Sequence, residues 1–536
     1  MQRPYHRLTV LALAASVSAG AQAIEIDTGN PDLTLHWDNT VKFSLMDRLK
    51  SRSPKLATSL PGGTVNTNQD DGDNNFNPGI VSRRLDLFSE ADLSYQRSWG
   101  ARVSGAAWYD FAYDNGTANP SPATANHTPA SQFSHDTRSI MGRSGELLDA
   151  FAYGKFDVGQ TPVTVRAGRY SLLWGESLFF GANGIAGGQA PVDVIKLSSV
   201  PNSQFKETVR PTGKVSAQAQ LTSDISLGGY VGYEWEPSRL IPTGSYLSVS
   251  DFVGPGGEEV ITAPHVPPYL RGNDIKPVQG GQGGVQLKMR AFDADFGIYA
   301  IRFSATAPSN IYLVGNPAPS TFEYAYQRGI RAFGLSAARA FDNWSLATEA
   351  SYRSNSPMSS SSQHVTAAQG FDNLHNQAYA IGDSLHLQFS WLASLGPSFI
   401  SREASFVGEL AFNERIKYTH GQQYANPNAD RSAAALRTIY TPTYRQVVPG
   451  LDLSPSIGAS YGKGRSSAVG PAFAVNHGGD ASLGLSGVYL DRWNVALNYV
   501  HYYGPVGSNV DNQQNIQFMQ SLADRDFVTL SLRTTF

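Results

Sequence analysis

The sequence predicts an all-β chain closed into a transmembrane antiparallel barrel of about 18 strands, with 16 as the alternative count. Three observations carry this: an export signal with no spanning helix after it, apolar–polar alternation that repeats along the chain, and connections that alternate between short and long. The first residues, MQRPYHRLTVLALAASVSAGAQA, hold Arg3 and Arg7, then an apolar run from Leu8 to about Val17, then small residues ending at Ala23. That is the layout of a cleaved secretory signal. Residues 1–23 are expected to be removed and the mature chain to begin near Ile24. The apolar run is shorter than the roughly 20 residues that a spanning helix needs.

Composition fits the same class. Charged residues are 16% and aromatic residues 11% of the chain, where an ordinary soluble domain has about 25% charged residues. The formal net charge is −3, and −5 once Arg3 and Arg7 are removed, so there is no basic footprint for nucleic acid. The chain has no Cys. That excludes thiolate catalysis, Cys-ligated zinc and a lipid anchor on cysteine, and an exported chain of this kind does not use disulfides.

Side chains on a strand point to alternate faces. LTLHWDNTVKFSL places Leu33, Leu35, Trp37, Val41, Phe43 and Leu45 on one face. RRLDLFSEADLSY places Leu85, Leu87, Ala91, Leu93 and Tyr95 on one face and Arg84, Asp86, Glu90 and Asp92 on the other. ARVSGAAWYDFAY, ISLGGYVGYEW, SLHLQFSWL and WNVALNYVHYY repeat the scheme. The last ten residues, FVTLSLRTTF, alternate Val528, Leu530, Leu532 and Thr534 with Thr529, Ser531, Arg533 and Thr535. A terminal strand needs a partner for its edge. Pairing with the strand near Leu33–Leu45 closes the sheet, so that no edge is left in lipid. Phe536 at its end resembles the signal that the outer-membrane barrel assembly machinery reads.

Alternation would also fit a soluble sandwich, and the connections separate the two. Tight joins such as Ser98–Gly100, Phe341–Asn343 and Pro449–Gly450 alternate with long polar stretches at about 50–80, 114–145, 171–213, 236–280, 304–328, 354–378, 413–437, 462–479 and 504–525. Short turns on one side and long loops on the other are the barrel pattern. Residues 24–536 read as a single domain in the outer membrane of a Gram-negative bacterium, with outer-membrane lipid as its surroundings.

One long loop is not polar. RAGRYSLLWGESLFFGANGIAGGQAPVDVIKLSSVPNSQFKET carries Leu172, Leu173, Trp174, Leu178, Phe179 and Phe180, then a glycine-rich run. In water these would form a large exposed apolar patch, so the 171–213 segment is expected to fold into the lumen. Asp193, Lys196, Lys206 and Glu207 are available to pair and fix it. Glu176, beside Trp174 and Phe179, must be paired or reach water, and Arg169 is its expected partner. The segment is either a plug that fills the lumen or a constriction that selects what passes, and it can be both.

The same stretch carries a resemblance. GRYSLLWGESLFF followed by APVDVIKLSSVPNSQFKE resembles the signature of a proteobacterial outer-membrane family catalogued as domain of unknown function 1302. Gly168, Arg169, Trp174, Gly175, Glu176, Ser177, Pro191, Val192, Asp193, Lys196, Pro201, Lys206 and Glu207 match its pattern, while Tyr170 and Ala190 replace the usual Gln and Asn. The resemblance continues over nearly the whole mature chain. It implies traffic of hydrophobic compounds, alongside a periplasmic lipoprotein-carrier-like protein and an inner-membrane efflux-type transporter.

Other candidates have plainer readings. NQDDGDNNF, with Asp70, Asp71 and Asp73, has oxygen ligands but no EF-hand spacing, and reads as a solvated Asx-rich turn rather than a metal site. Gly458–Gly462 matches G-x-S-x-G, but it ends a strand without the helix that a nucleophile elbow requires. His386, His420 and His501 have no short motif linking them to a serine. Trp99, Trp235, Trp344 and Trp493 read as interface girdles, and Arg84, Asp86, Arg166 and Arg169 as lumen charges. The residues therefore favour a barrel that passes or helps load a hydrophobic or amphipathic small molecule. Arg169, Trp174, Glu176, Phe179, Phe180, Asp193, Lys196, Lys206 and Glu207 would form its constriction, without cofactor or metal. A barrel lipase or deacylase, and a structural or adhesin barrel, are the rivals.

Overall fold

The computed structural model describes residues 24–57, 67–263, 265–316 and 319–536. The expected signal, 1–23, lies outside the described residues. The barrel strands begin with β1 (Leu33–Arg48), β2 (Gly79–Tyr95), β3 (Trp99–Asp110), β4 (Arg143–Val158), β5 (Thr161–Tyr170) and β6 (Thr212–Gln220). They continue with β7 (Ile225–Gly232), β8 (Gln282–Ala291), β9 (Ala294–Phe303), β10 (Ile330–Phe341), β11 (Trp344–Pro357) and β12 (Ile381–Leu395). The last are β13 (Glu403–His420), β14 (Ser432–Val448), β15 (Leu451–Lys463), β16 (Gly479–Tyr489), β17 (Trp493–Tyr503) and β18 (Phe527–Thr535). Each pairs antiparallel with the next, and β18 returns to β1 from Thr40↔Thr535 to Arg48↔Phe527. The result is a closed 18-stranded barrel. Closure continues one residue further, where Asn39 and Phe536 exchange backbone hydrogen bonds of 2.7 and 2.8 Å.

The alternation resolves into two faces. Thr529 and Ser531 are buried toward the lumen, while Leu530 and Leu532 are 45% and 39% exposed on the outside. The same holds for Leu227 and Val231 on β7 and for Phe333 and Leu335 on β10. An outward apolar surface of this extent has hydrocarbon as its solvent. Trp99 and Trp344 stand exposed at the short-turn end, as girdle residues do. Trp235 does not: it is 3% exposed, with Phe252 and Phe322 in a core under the outer loops, and its indole donates to the Ala305 carbonyl.

Short turns occupy one rim and long loops the other. The expected loop at 413–437 shrinks to 421–431, because Glu414 still pairs with Ser432 and bonds Arg431 at 2.8 Å. Ladder bonds are made by the backbone, so strands run past the apolar band that marks them in the sequence. The β14–β15 ladder is interrupted between Tyr440↔Ile457 and Tyr444↔Leu453. Pro442 and Pro455 stand there, and proline has no N–H to give.

The outer loops pack into a cap. The strands Glu259–Val260, Tyr269–Arg271, Asn310–Gly315, Thr321–Ala325 and Gln363–Thr366 form a second sheet among them. The Asx-rich stretch is not solvated. Asp70, Asp71 and Asp73 are at most 1% exposed, because a ring cluster of Phe76, Tyr113, Phe133 and Tyr246 draws the loop inward. Asp251 accepts the backbone N–H groups of Asp70 and Asp71 at 2.8 and 3.1 Å, and Asp71 takes Asn119 and the Asn126 N–H. These carboxylates hold loop to loop. Asp73 lies against Arg48 and Arg525, with Asp524 beside both arginines.

Deleting Phe536 removes the two closing bonds with Asn39. The deletion is expected to lower the yield of heat-modifiable barrel in the outer membrane, and undiminished yield would contradict this role.

Burial, together with the neighbouring Asp73, pushes the Asp524 carboxyl up to about 6 from its ordinary 3.8, although Arg525 opposes the rise. A raised acid binds its proton more tightly in the folded state, so stability is lost as pH rises from about 4 to about 6. Thermal unfolding across that window should show the loss, and Asp524→Asn should reduce it. An unchanged slope in the variant would assign the pH dependence elsewhere.

Candidate functional site in the barrel lumen

Wall side chains of an 18-stranded barrel leave an open lumen, and the segment between β5 and β6 crosses it. Its first half, Trp174 to Ile185, carries one charged side chain, Glu176. It is held by its backbone. Glu409 on β13 accepts the N–H groups of Leu178, Phe179 and Phe180, at 3.1 Å for Leu178 and 3.0 Å for Phe180. Glu349 on β11 accepts those of Glu176 at 2.9 Å and Ile185 at 2.6 Å. Gln388 and Arg353 donate to the Phe180 and Gly184 carbonyls at 2.9 and 2.6 Å. Gly175 sits at φ +95°, and a Cβ there would strike the Glu349 carboxylate. This explains the glycine in WGES.

The rings seat on bare wall. Trp174, 5% exposed, meets Tyr230 edge-on at 5.1 Å and stacks with Tyr299 at 6.2 Å. Gly284 and Gly334 leave the room that Trp174 and Ile185 occupy, since a Cβ on them would come 3.1 Å from the indole and 2.6 Å from the Ile185 side chain. Phe180 packs on Phe473 at 5.7 Å. Phe179 lies near Arg437, 5.7 Å from its ring, and Leu178 remains 40% exposed.

The second half is held by its own charges. Asp193 pairs with Arg239 at 2.8 Å, and Arg239 also grips Glu146 on β4. Lys196 pairs with Glu207 at 3.5 Å, and Lys206 with Glu90 on β2 at 3.1 Å. Lys42 on β1 donates to the Pro201 carbonyl at 3.0 Å. Arg84, Lys196 and Arg239 all stand over the Trp108 ring, at 4.9, 5.4 and 5.5 Å. All four charged residues that the sequence offers on the segment stand in ion pairs, Lys196 and Glu207 with each other.

Arg169 does not belong to this set. It lies on the opposite face of β5 from Arg166 and Tyr170, and pairs with Glu234 at 2.5 Å. Parity decides this: residues 166 and 169 of one strand cannot share a face. The cation acting on Glu176 is Lys288 on β8, with Glu349 and Asp295 as like charges.

Sequence reasoning missed Glu349 and Glu409, and it left His386 without a serine partner, whereas Ser384 two residues before it and Asn183 join it under the segment. Asn183 donates its amide to the Leu387 and Phe412 carbonyls, so its oxygen faces His386 at 3.0 Å. His386 Nδ1 must then donate, which leaves Nε2 to accept the Ser384 hydroxyl at 2.8 Å. The order serine–histidine–amide resembles a hydrolase relay. Ser384 has no exposed surface and His386 is 1% exposed, so here the chain pins Asn183, which Asn413 also holds at 3.1 Å. The G-x-S-x-G match lies inside β15, where Ser460 bonds Asp480 at 2.6 Å.

Fold and lumen together define a transmembrane β-barrel with a porin-like architecture and an inserted, ring-bearing segment. The profile of the family described as "Protein of unknown function (DUF1302)" matches residues 5–536, and the chain belongs to that family. No curated protein matches it. Solved structures similar in shape include Acinetobacter baumannii OccAB4, at 10% identity over 96% of this chain and 99% of that one, with a TM-score of 0.43. Pseudomonas aeruginosa OccD3 (OpdP) is similar at 10% identity over 97% and 95%, with a TM-score of 0.40. Pseudomonas aeruginosa OccK9 (OpdG) is similar at 10% identity over 94% and 98%, with a TM-score of 0.42.

Hydrogen bonds to an ionised group contribute about 1.5–3 kcal/mol each. Glu409→Ala should therefore free residues 178–180, making them cleavable by protease in the folded barrel and raising non-specific dye leak. Glu176→Ala, whose anchor is its backbone, should do so less. Equal resistance and equal leak in wild type and Glu409→Ala would remove Glu409 as an anchor.

Proposed function

We propose that the chain is an outer-membrane channel of a Gram-negative bacterium that passes, or helps load, hydrophobic or amphipathic small molecules. The observation that carries this reading is the apolar segment held across the lumen by wall carboxylates. A segment that only filled space would gain nothing from keeping Leu178 part-exposed while Trp174 is buried. Trp174 and Phe180 fix the segment, and Leu178 and Phe179 offer the surface a solute meets. Export through a cleaved signal, insertion by the assembly machinery, and exchange with a periplasmic carrier and an inner-membrane transporter complete the reading, the last two on the strength of the family resemblance. The hydrolase rival has no accessible nucleophile in Ser384, and a serine trap should label nothing there.

The test is solute flux into proteoliposomes bearing the full mature barrel. Apolar and amphipathic solutes should enter faster than polar solutes of equal size. Trp174→Ala leaves a cavity costing about 3–5 kcal/mol and should change apolar flux more than polar flux. No flux above empty vesicles, or equal changes for both solute classes, would overturn the reading.

A further inference from the structure

Two cavities lie in the lumen toward the short-turn rim, below the segment, and Thr164 and Arg166 line both. The first, about 430 Å³, has four cations around it, Arg102, Lys155, Arg166 and Lys206, against Asp92 and Asp149. The second, about 330 Å³, is walled by Leu172 and Trp174 on one side and by the amides of Gln218 and Gln286.

The cations are not equivalent. Arg102 is taken by Asp92 at 2.6 Å and Glu90 at 3.5 Å, and Lys206 by Glu90 at 3.1 Å. Asp149 binds the Ser104 hydroxyl and lies beyond ion-pair distance of Arg166, acting on it only at range. Lys155 rests 5.9 Å from the Tyr153 ring. Arg166 stands between two rings, 4.7 Å over Phe151 and 5.0 Å over Tyr170. The Tyr170 hydroxyl is engaged by Ser216 at 2.5 Å. Among the described residues the Arg166 guanidinium has neither a carboxylate nor a hydrogen-bond acceptor. Rings attract a cation without engaging its N–H donors, and the donors of half-buried Arg166 face the cavities. A guanidinium held in place with free donors is matched by a carboxylate, which it takes in a two-pronged fork.

We propose that Arg166 is the head-group site for an amphipathic organic carboxylate, its apolar body lying against Leu172 and Trp174 in the second cavity. The inference deepens the channel reading and rests on it for the ligand's arrival, but not for its binding.

Binding and passage can therefore be measured apart. With the folded barrel in amphipol, equilibrium dialysis compares naphthalene-2-carboxylate with its neutral twin, naphthalene-2-carboxamide. The acid should bind at least tenfold more tightly than the amide. Arg166→Gln should bring the ratio near one, Arg166→Lys should keep part of it, and Lys155→Gln should leave most of it. Heat-modifiable migration checks that each variant is folded, and a variant that fails is replaced by Arg166→Met. Equal binding of acid and amide by wild type, or a ratio that survives loss of the guanidinium, overturns the site. Where binding shows no acid preference but solutes still cross in proteoliposomes, the site falls and the channel reading stays intact. A ratio that depends on Arg166, with no flux of any solute, supports the site and sinks the channel reading.

Discussion

The acceptors that the barrel wall supplies to the backbone of the crossing segment are what the rest of the lumen depends on. A chain run through a lumen without strand partners brings N–H groups that must be satisfied. Between Trp174 and Ile185 no helix or ladder does so. Glu349 and Glu409 take five of those N–H groups between them. Two buried carboxylates facing a row of donors are in turn kept from being costly charges. Each side solves the other's desolvation, and neither arrangement survives alone.

The two halves of the segment are fixed by different chemistry because they bring different groups. Residues 193–207 offer Asp193, Lys196, Lys206 and Glu207, and the facing wall of β1 to β4 offers Glu90, Glu146 and the Trp108 ring. Ion pairs removed from water need accurate geometry and further hydrogen bonds to be worth their desolvation. Asp193 obtains these by also accepting the Lys196 N–H at 3.0 Å. The half with almost no charge is held by backbone contacts, and the charged half by side chains.

Much of this was legible in the sequence. Period-two alternation gave the barrel and its outward face, loop rhythm gave the strand number, and the Leu172–Phe180 rings, too apolar for a surface loop, gave the inserted segment. The charged residues that fix it were legible because they sit on it. Its wall anchors were not. A lumen-facing glutamate in TEAS or GELA reads like any polar residue of an alternating strand. Its partners are backbone groups more than 160 residues away, which have no side-chain signature. Arg169 failed for a different reason: proximity in sequence to Glu176 suggested a pair that strand parity forbids. The Asx-rich stretch and Trp235 failed together, since both depend on outer loops packing on one another, which local composition does not record.

Anchoring by backbone has a consequence for the surface the segment shows. A bond to the Leu178 or Phe179 N–H is indifferent to the side chain on that residue. The position of the segment is thus set by Glu349, Glu409 and the glycine at 175, while its chemical surface is set by the side chains at 178 and 179. The two properties can change independently. A barrel built this way can alter the surface the segment shows in its lumen without giving up the contacts that hold the segment in place. Trp174 is the exception, because its ring is packed into the wall and both properties run through it.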